Sequence, residues 1–330
     1  MKLAVAILNW NGKKLLEDFL PSVIKHSADA EIYVIDNAST DDSISFLKQN
    51  YPNIKLVQNQ ENYGFAKGYN EGLKHIEADI FCLLNSDVEV TKNWTQPILE
   101  LFKKDHSIAA IQPKILDYKN KSYFEYAGAG GGFIDEYGYP FCRGRVFDTL
   151  EKDKGQYNDT IECFWATGAS LFIRREDFIN QNGFDEDFFA HMEEIDLCWR
   201  LKNVGRKIYY CGQSTVYHVG GATLQKSNPK KTYLNLRNCL NMYLKNLPKD
   251  QLFPIIFSRL SLDGISAMVF LVKNGPRHVW AVFMSHMHFY RDFGKMYKKR
   301  GTHQIRNYGL KKLIPFQYFI QKRKYFDQLK

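Results

Sequence analysis

Val34-Ile-Asp-Asn-Ala-Ser-Thr-Asp-Asp-Ser43 is an apolar run that ends on a carboxylate and passes within a few residues into a helical pattern. The same unit recurs on either side of it. Leu3 to Leu8 precedes a helical pattern over Lys13 to Lys25, Ile32 to Ile35 one over Thr40 to Gln49, and Ile54 to Val57 one over Ala66 to His75; Ile80 to Leu84 follows. Strands alternating with helices bury both faces of a mostly parallel sheet, so the expected class is α/β. Ligands of such sheets bind outside the carboxyl ends of the strands. Polar clusters stand at those ends: Asn9-Trp10-Asn11, Asp36-Asn37 and Asn85-Ser86-Asp87.

Each cluster has a structural and a chemical reading. Ser39 and Asp42 are spaced as a capping box for the next helix, which leaves Asp36 to accept hydrogen bonds from a nucleobase or ribose. In the segment Asn62 to Asn70, Gly64 and Gly68 stand near a helix start, where free N–H groups favour an anion or a base edge and equally suit a plain turn. Asp87, directly after a strand, suits a hard divalent cation such as Mg²⁺ or Mn²⁺ bridging to a diphosphate, or a turn. The densest cluster is Glu193-Glu194-Ile-Asp196-Leu-Cys-Trp-Arg200. On a helix starting near Glu193, the side chains of Glu193, Asp196 and Arg200 share one face, and Asp196 with Arg200 also has the spacing of an i,i+4 ion pair. Carboxylates this close repel one another, which raises the proton affinity of at least one toward general-base work. His218 follows a short strand near Ile208 to Cys211 and reads as a metal ligand or as a half-buried polar residue.

With 330 residues, 45% of them hydrophobic and 25% charged, the chain can bury a full core. The opening apolar run stops at Asn9, too short for a secretory signal. Six scattered cysteines without a C-x-x-C pair indicate neither a zinc site nor a disulfide framework, which fits a reducing cytoplasm. Between Tyr118 and Asp159 the periodicity fades; Gly128-Ala-Gly-Gly-Gly132 opens no helical pattern and reads as a flexible loop rather than a phosphate cradle.

Charge divides the chain. Residues 1–229 carry 25 Lys+Arg against 32 Asp+Glu, net −7, whereas residues 230–330 carry 20 against 4, net +16. Such a tail meets nucleic acid, an anionic membrane surface, or only solvent. It reads as helices over Tyr233 to Lys245, Phe253 to Val272 and Arg277 to Arg300, and its longest apolar run, Gly264 to Val272, is too short to span a bilayer. Trp280, Phe283, Met284, Met287 and Tyr290 recur at helical spacing among basic residues, as in an interfacial helix or in one packed on the body. The expected division is a catalytic domain over 1–228 and a helical, basic region over 229–330.

Taken in order, these motifs resemble glycosyltransferase family 2, in its rhamnosyltransferase-like branch of bacterial surface polysaccharide assembly, over about residues 3–225. The resemblance implies the GT-A fold, a single nucleotide-binding αβα sandwich. It assigns Asn9, Asn11, Asp36, Asn62, Gly64 and Asn70 to the nucleotide-sugar donor, with Asn85 and Ser86 also on the donor side. Asp87, last in the Asp-x-Asp position, would bind the divalent cation, and His218, before Gly220-Gly221, would complete that site. Glu193-Glu194-x-Asp196 matches the catalytic Glu-Asp-x-Asp segment, in which Glu194 takes the place of the base. Trp165, Gly168 and Ala169 match the acceptor side. Asn85 stands where the motif's first Asp would, so the metal leans on His218, and Glu194 is a methylene longer than the family's Asp.

The expected function is therefore an inverting, metal-dependent sugar transfer from a nucleotide diphosphate donor, with dTDP-rhamnose the first choice and UDP-hexoses the alternatives. The expected acceptor is a glycan carried on a polyprenyl diphosphate at the cytoplasmic face of the membrane. The oligomeric state stays open. A nicotinamide-dependent oxidoreductase would need G-x-G-x-x-G after the first strand, where Asn9-Trp10-Asn11-Gly12 has one glycine. The remaining alternative is a nucleic-acid-binding protein using the basic tail with an inactive body; the tail matches no such module, and no nucleic acid is expected as partner.

Overall fold

In the computed structural model, which describes residues 1–220, 228–309 and 313–329, the polar clusters fall where the apolar runs end. The chain begins β1 (Leu3–Asn9), α1 (Lys13–His26), β2 (Ala30–Asp36), α2 (Ser43–Asn50), β3 (Lys55–Gln58), α3 (Gly64–Leu73), β4 (Ile80–Asn85), β5 (Val88–Val90), α4 (Gln96–Lys104) and β6 (Ile108–Asp117). Four short strands follow, β7 (Gly132–Ile134), β8 (Pro140–Cys142), β9 (Arg145–Val146) and β10 (Thr149–Leu150). Then come β11 (Thr160–Cys163), β12 (Ser170–Arg174), α5 (Arg175–Asn180), α6 (Glu193–Asn203) and β13 (Lys207–His218), and the helices α7 (Pro229–Asn246), α8 (Lys249–Asn274) and α9 (Pro276–Lys298).

The main sheet has nine strands in the order β11-β13-β6-β12-β4-β1-β2-β3, with β5 added on β13. Strands β1, β2, β3, β4, β6 and β13 run one way and β5, β11 and β12 the other, a mixed and mostly parallel sheet. Alternation along each strand supplies two apolar faces. Leu3, Val5 and Ile7 pack with Leu16, Leu20, Leu47, Ile98 and Phe102 from α1, α2 and α4. Ala4, Ala6, Phe81 and Leu83 pack on the other side with Tyr69, Phe178, Trp199 and Tyr243 from α3, α5, α6 and α7. The outcome is an αβα sandwich. Tyr243 belongs to α7, so the first C-terminal helix shares the core of the sheet.

Four local expectations are corrected. The Gly128–Gly132 stretch is a buried, hydrogen-bonded turn instead of a flexible loop: the Gly128 carbonyl accepts Gln112 Nε2 at 3.1 Å, the Gly130 N–H donates to the Arg143 carbonyl at 2.8 Å, and the Arg143 N–H donates to the Gly131 carbonyl at 3.1 Å. Glycine is required at 132, because a Cβ there would overlap the Trp165 indole. This turn leads into the small antiparallel sheet β10-β9-β8-β7, whose strands of two or three residues are too short to show a period. Second, Ser39 and Asp42 form no capping box. The Asp42 side chain makes no cap bond, the Ser43 N–H going to Asp41 Oδ1 at 3.0 Å, and the Ser39 hydroxyl instead accepts Asn9 Nδ2 and the Asn11 N–H at 3.2 and 2.9 Å. Third, His218 does not follow a short strand but ends the twelve-residue β13, which a register shift between Cys211 and Thr215 divides into two apolar pieces.

The fourth correction concerns the tail. α8 is one helix of 26 residues whose most apolar window has mean hydropathy 1.8 and is 17% buried, long and apolar enough by length and composition to cross a membrane. Arg259 and Asp263, which interrupt the apolar run in the sequence, both turn inward and approach each other to 3.3 Å. The Arg259 guanidinium lies 3.7 Å from the Tyr139 ring centroid. The outward face of α8 is left with Phe253, Phe257, Met268 and Val272, and that of α9 with Trp280, Phe283, Met287 and Tyr290. On α9 the inward residues Ala281, Val282, Ser285 and Phe289 make the packing contact, so its aromatic stripe faces solvent.

Candidate active site at the carboxyl edge of the sheet

β1, β2, β4 and β13 end on Asn9, Asp36, Asn85 and His218, and parallel register puts Asn9 beside Asp36 and Leu8 beside Asn85. Asn9 and Asp36 are fully buried and joined by a 3.0 Å hydrogen bond from Asn9 Nδ2. The second Asp36 oxygen accepts the Ser39 N–H at 2.9 Å. Asn11, at φ 50°, spends its side-chain oxygen on the Thr40 and Asp41 N–H groups. Its side-chain oxygen thus ties the β1 and β2 loops together. Asn62 accepts from Asn37 Nδ2 at 3.0 Å. Gly64, at φ +74°, opens α3 against the Phe189 ring, where any Cβ would collide. Asn70 faces away from these groups and clamps Phe184 through both its N–H and its carbonyl.

The other half of the edge is ionic. Asp87 Oδ1 and His218 Nε2 approach to 3.2 Å, with both side chains buried. β5 pairs with β13 so that His218 lies opposite Val88, and the Val219 N–H bonds the Asp87 carbonyl at 3.1 Å; two strands therefore fix the approach. Asn85 Nδ2 lies 3.4 Å from the same ring nitrogen. Beyond the ring, Glu125 Oε2 is 3.3 Å from His218 Nδ1 and is equally buried. Burial alone would lower the proton affinity of His218, but Asp87 and Glu125 outweigh it and raise the pKa to about 10. Glu125 lies in the unpatterned stretch after β6, where no sequence signal marked it.

A carboxylate oxygen and an imidazole nitrogen converging on one point are a fitting donor set for Mn²⁺ or Mg²⁺. Glu125 sits on the opposite nitrogen, and among the described residues no three His, Cys, Asp or Glu side chains gather as a metal cage. Such a pair would hold part of a coordination sphere and leave the rest to phosphate oxygens and water. Gly221, read together with His218 and Gly220, lies outside the described residues.

Across the cleft, the Asn85 N–H bonds the Ala169 carbonyl at 3.0 Å. A side chain at Gly168 would begin 4.0 Å from Glu194 Cβ, so the metal-side and carboxylate-side groups are linked through two residues. Glu194 is the second residue of α6, and its Oε2 is buried with no hydrogen-bond partner, as is Oε2 of Glu193. Burial raises the Glu194 pKa to about 7, against an opposing pull from backbone N–H groups at the helix start. Burial raises Glu193 further, with the Glu194 charge adding to it. Desolvation, more than the mutual repulsion expected from the sequence, is the cause.

Two further expected site residues, besides Asn70, are spent elsewhere. Asp196 is wholly buried and both its oxygens are bonded: Arg200 and Lys245 donate to one at 2.8 and 2.7 Å, and Asn246 to the other at 2.8 Å. Breaking such a buried pair costs about 3–5 kcal/mol, and a carboxylate so engaged does not collect a proton; Asp196 joins α6 to α7. Trp165 was expected to face an acceptor sugar. Its ring is 4% exposed and donates to the Phe133 carbonyl at 2.9 Å over Gly132, so it is unavailable for stacking and shapes the wall from behind. Ala169 contributes its carbonyl, and Gly168 its lack of a side chain.

The fold and this edge define a transferase of the GT-A type, in which a sheet end cradles a nucleotide sugar. A model of glycosyl transferase family 2 matches residues 4–178, and the chain belongs to that family. It is 25% identical over 232 residues to the N-acetylglucosaminyl-diphospho-decaprenol L-rhamnosyltransferase of Mycobacterium tuberculosis, covering 66% of this chain and 75% of that protein. GalNAc-T7 with UDP, GalNAc and Mn²⁺ superposes with TM-score 0.57 at 18% identity, over 76% of this chain and 48% of that one. S. aureus TarS 1–349 with UDP-GlcNAc superposes with TM-score 0.55 at 14% identity, over 90% and 91%. The structural likenesses establish the architecture, and the family match establishes a glycosyltransferase acting on a nucleotide-sugar donor.

Proposed function

We propose that this chain is an inverting hexosyltransferase that moves rhamnose from dTDP-rhamnose onto a glycan carried by a polyprenyl diphosphate, working at the cytoplasmic face of the membrane. The observation that carries it is the convergence of Asp87 and His218 at the sheet edge, one residue pair away from Glu194, whose Oε2 is buried without a hydrogen-bond partner. Asp87 and His218 would hold the divalent cation, which when bound offsets charge developing on the departing diphosphate. Asn9, Asp36 and Asn62 form the floor beneath the nucleoside. Glu194 takes the proton of the acceptor hydroxyl, whose oxygen attacks the anomeric carbon from the face opposite the diphosphate; a single displacement inverts that carbon. The lipid-linked acceptor is supported by the decaprenol-linked substrate in the name of the mycobacterial relative. Release of nucleoside diphosphate from dTDP-rhamnose and a set of UDP-hexoses, with Mn²⁺ and then with EDTA, tests the reading, and silence of every donor with and without acceptor lipid counts against it.

Glu125 orients His218 in this account. Glu125→Gln is expected to weaken Mn²⁺ binding, read by paramagnetic resonance of free Mn²⁺, by about 10–100-fold. Unaltered affinity would remove Glu125 from the site.

The outward apolar stripes of α8 and α9, bordered by Lys273, Arg277 and Lys298, support contact with an anionic bilayer. The protein is expected to float with phosphatidylglycerol vesicles and to keep a bound fraction in high salt, because burial of the stripes is not screened. Recovery wholly at the bottom of the gradient would count against the membrane partner.

A further inference from the structure

The segment 185–192 leads into α6 through three residues at positive φ, Phe189 (65°), His191 (72°) and Met192 (73°). Side chains other than glycine stay in that region only where their surroundings hold them. Here the holding groups come from the C-terminal helices. Asn238 Nδ2, on α7, lies 3.0, 2.9 and 2.7 Å from the carbonyl oxygens of Phe188, Ala190 and His191. Arg237 donates to the carbonyls of Asp187 and Phe188 at 2.9 and 3.2 Å. Lys245 bridges Asp185 and Asp196 at 2.7 Å each. Lys299, just past the end of α9, bonds Asp185 and Asp187, and Lys295 on α9 bonds Asp187. On the opposite side, the Phe189 carbonyl accepts the N–H groups of Phe65 and Ala66, in the first turn of α3.

The segment is therefore strung between the donor-side helix and the start of the helix bearing Glu193 and Glu194, and α7 and α9 fasten it. Part of the tail's positive charge has its partners inside the molecule, in Asp185 and Asp187. We infer that Asn238 and Lys299 are positioning residues of the transfer reaction: by holding 185–192 they set where the Glu194 carboxylate stands. The inference rests on the proposed role of Glu194 as base.

The test uses the full chain and four variants, Asn238→Ala, Lys299→Ala, Lys299→Arg and Glu194→Gln. Turnover is measured with dTDP-rhamnose and the UDP-hexose set in Mn²⁺, and amide exchange over 185–194 without any donor. A small displacement of a catalytic group is costly to rate, so Asn238→Ala is expected to lower kcat by about tenfold or more with donor KM within about twofold. Lys299→Ala, at a side chain 35% exposed and so tolerant of change, is expected to lower kcat severalfold, and Lys299→Arg to restore it. Amide exchange should rise over 185–192 and not in β1 to β4. Unchanged kcat in a folded Lys299→Ala overturns the inference, and so does a fall in kcat and melting temperature with no local rise in exchange. If no donor turns over, unchanged exchange over 185–192 overturns it alone. Glu194→Gln separates the two failures: full turnover in that variant removes the base, whereas its inactivity beside active Asn238 and Lys299 variants removes only the positioning role.

Discussion

Glu194→Gln is expected to lower turnover by about 10²–10⁴-fold while leaving donor affinity within about twofold. The amide keeps the shape and cannot take a proton, and no neighbouring group already bonds the buried Oε2 that would receive it. The wild-type pH profile follows from the same environment. Burial holds the Glu194 pKa up to about 7 and the base works deprotonated, so kcat is expected to climb about tenfold per pH unit below that value and level off above it. The stability effect has the opposite sense. A carboxyl whose folded pKa is raised costs nothing while protonated in both states, and costs progressively more as pH rises from its unfolded value of 4.5 through about 7. A flat rate profile between pH 5.5 and 8, or a fully active Glu194→Gln, would sink the assignment.

Asp87→Ala is expected to abolish Mn²⁺-dependent turnover, a loss of about 10³-fold. Asn85 stands beside it without charge, so Asp87 is the carboxylate of the pair, and His218 alone offers one nitrogen. Removing His218 instead leaves Asp87 in place, and His218→Ala is expected to be milder and partly offset by higher Mn²⁺. A Mn²⁺ titration of turnover in the two variants distinguishes them. Activity indifferent to EDTA in the unaltered protein would contradict both.

The sheet was legible because β1, β2 and β4 hold apolar runs and β1 to β3 are each followed by a helical period, and parallel register then forces Asn9, Asp36 and Asn85 to one edge. The Asp87 to His218 pairing was legible from family resemblance and not from spacing, since Asp87 precedes β5 and His218 ends β13, and the two meet because β5 adds to β13. Glu125 was invisible for a related reason: its partner ring is far away in sequence, and its own surroundings carry no period. Asn70, Trp165 and Asp196 are polar or aromatic at places where chemistry is plausible, and the tertiary structure engages each of them: Asn70 with Phe184, the Trp165 ring with the Phe133 carbonyl, and Asp196 with Lys245 and Asn246 besides the Arg200 pair that spacing already suggests. α8 misled for the converse reason: Arg259 and Asp263 interrupt an apolar run on paper, yet in space they face each other and the body, leaving the outward surface apolar.

The most direct test of the central claim, that Asp87 and His218 hold a divalent cation and with it a nucleotide diphosphate, is calorimetric titration of dTDP, UDP and GDP into the protein, with Mn²⁺ and again with EDTA, because it needs neither acceptor nor turnover. Binding of one nucleotide is expected with Mn²⁺, lost with EDTA and lost in Asp87→Ala. No binding of any of the three in Mn²⁺, or binding that EDTA and Asp87→Ala leave untouched, would contradict it.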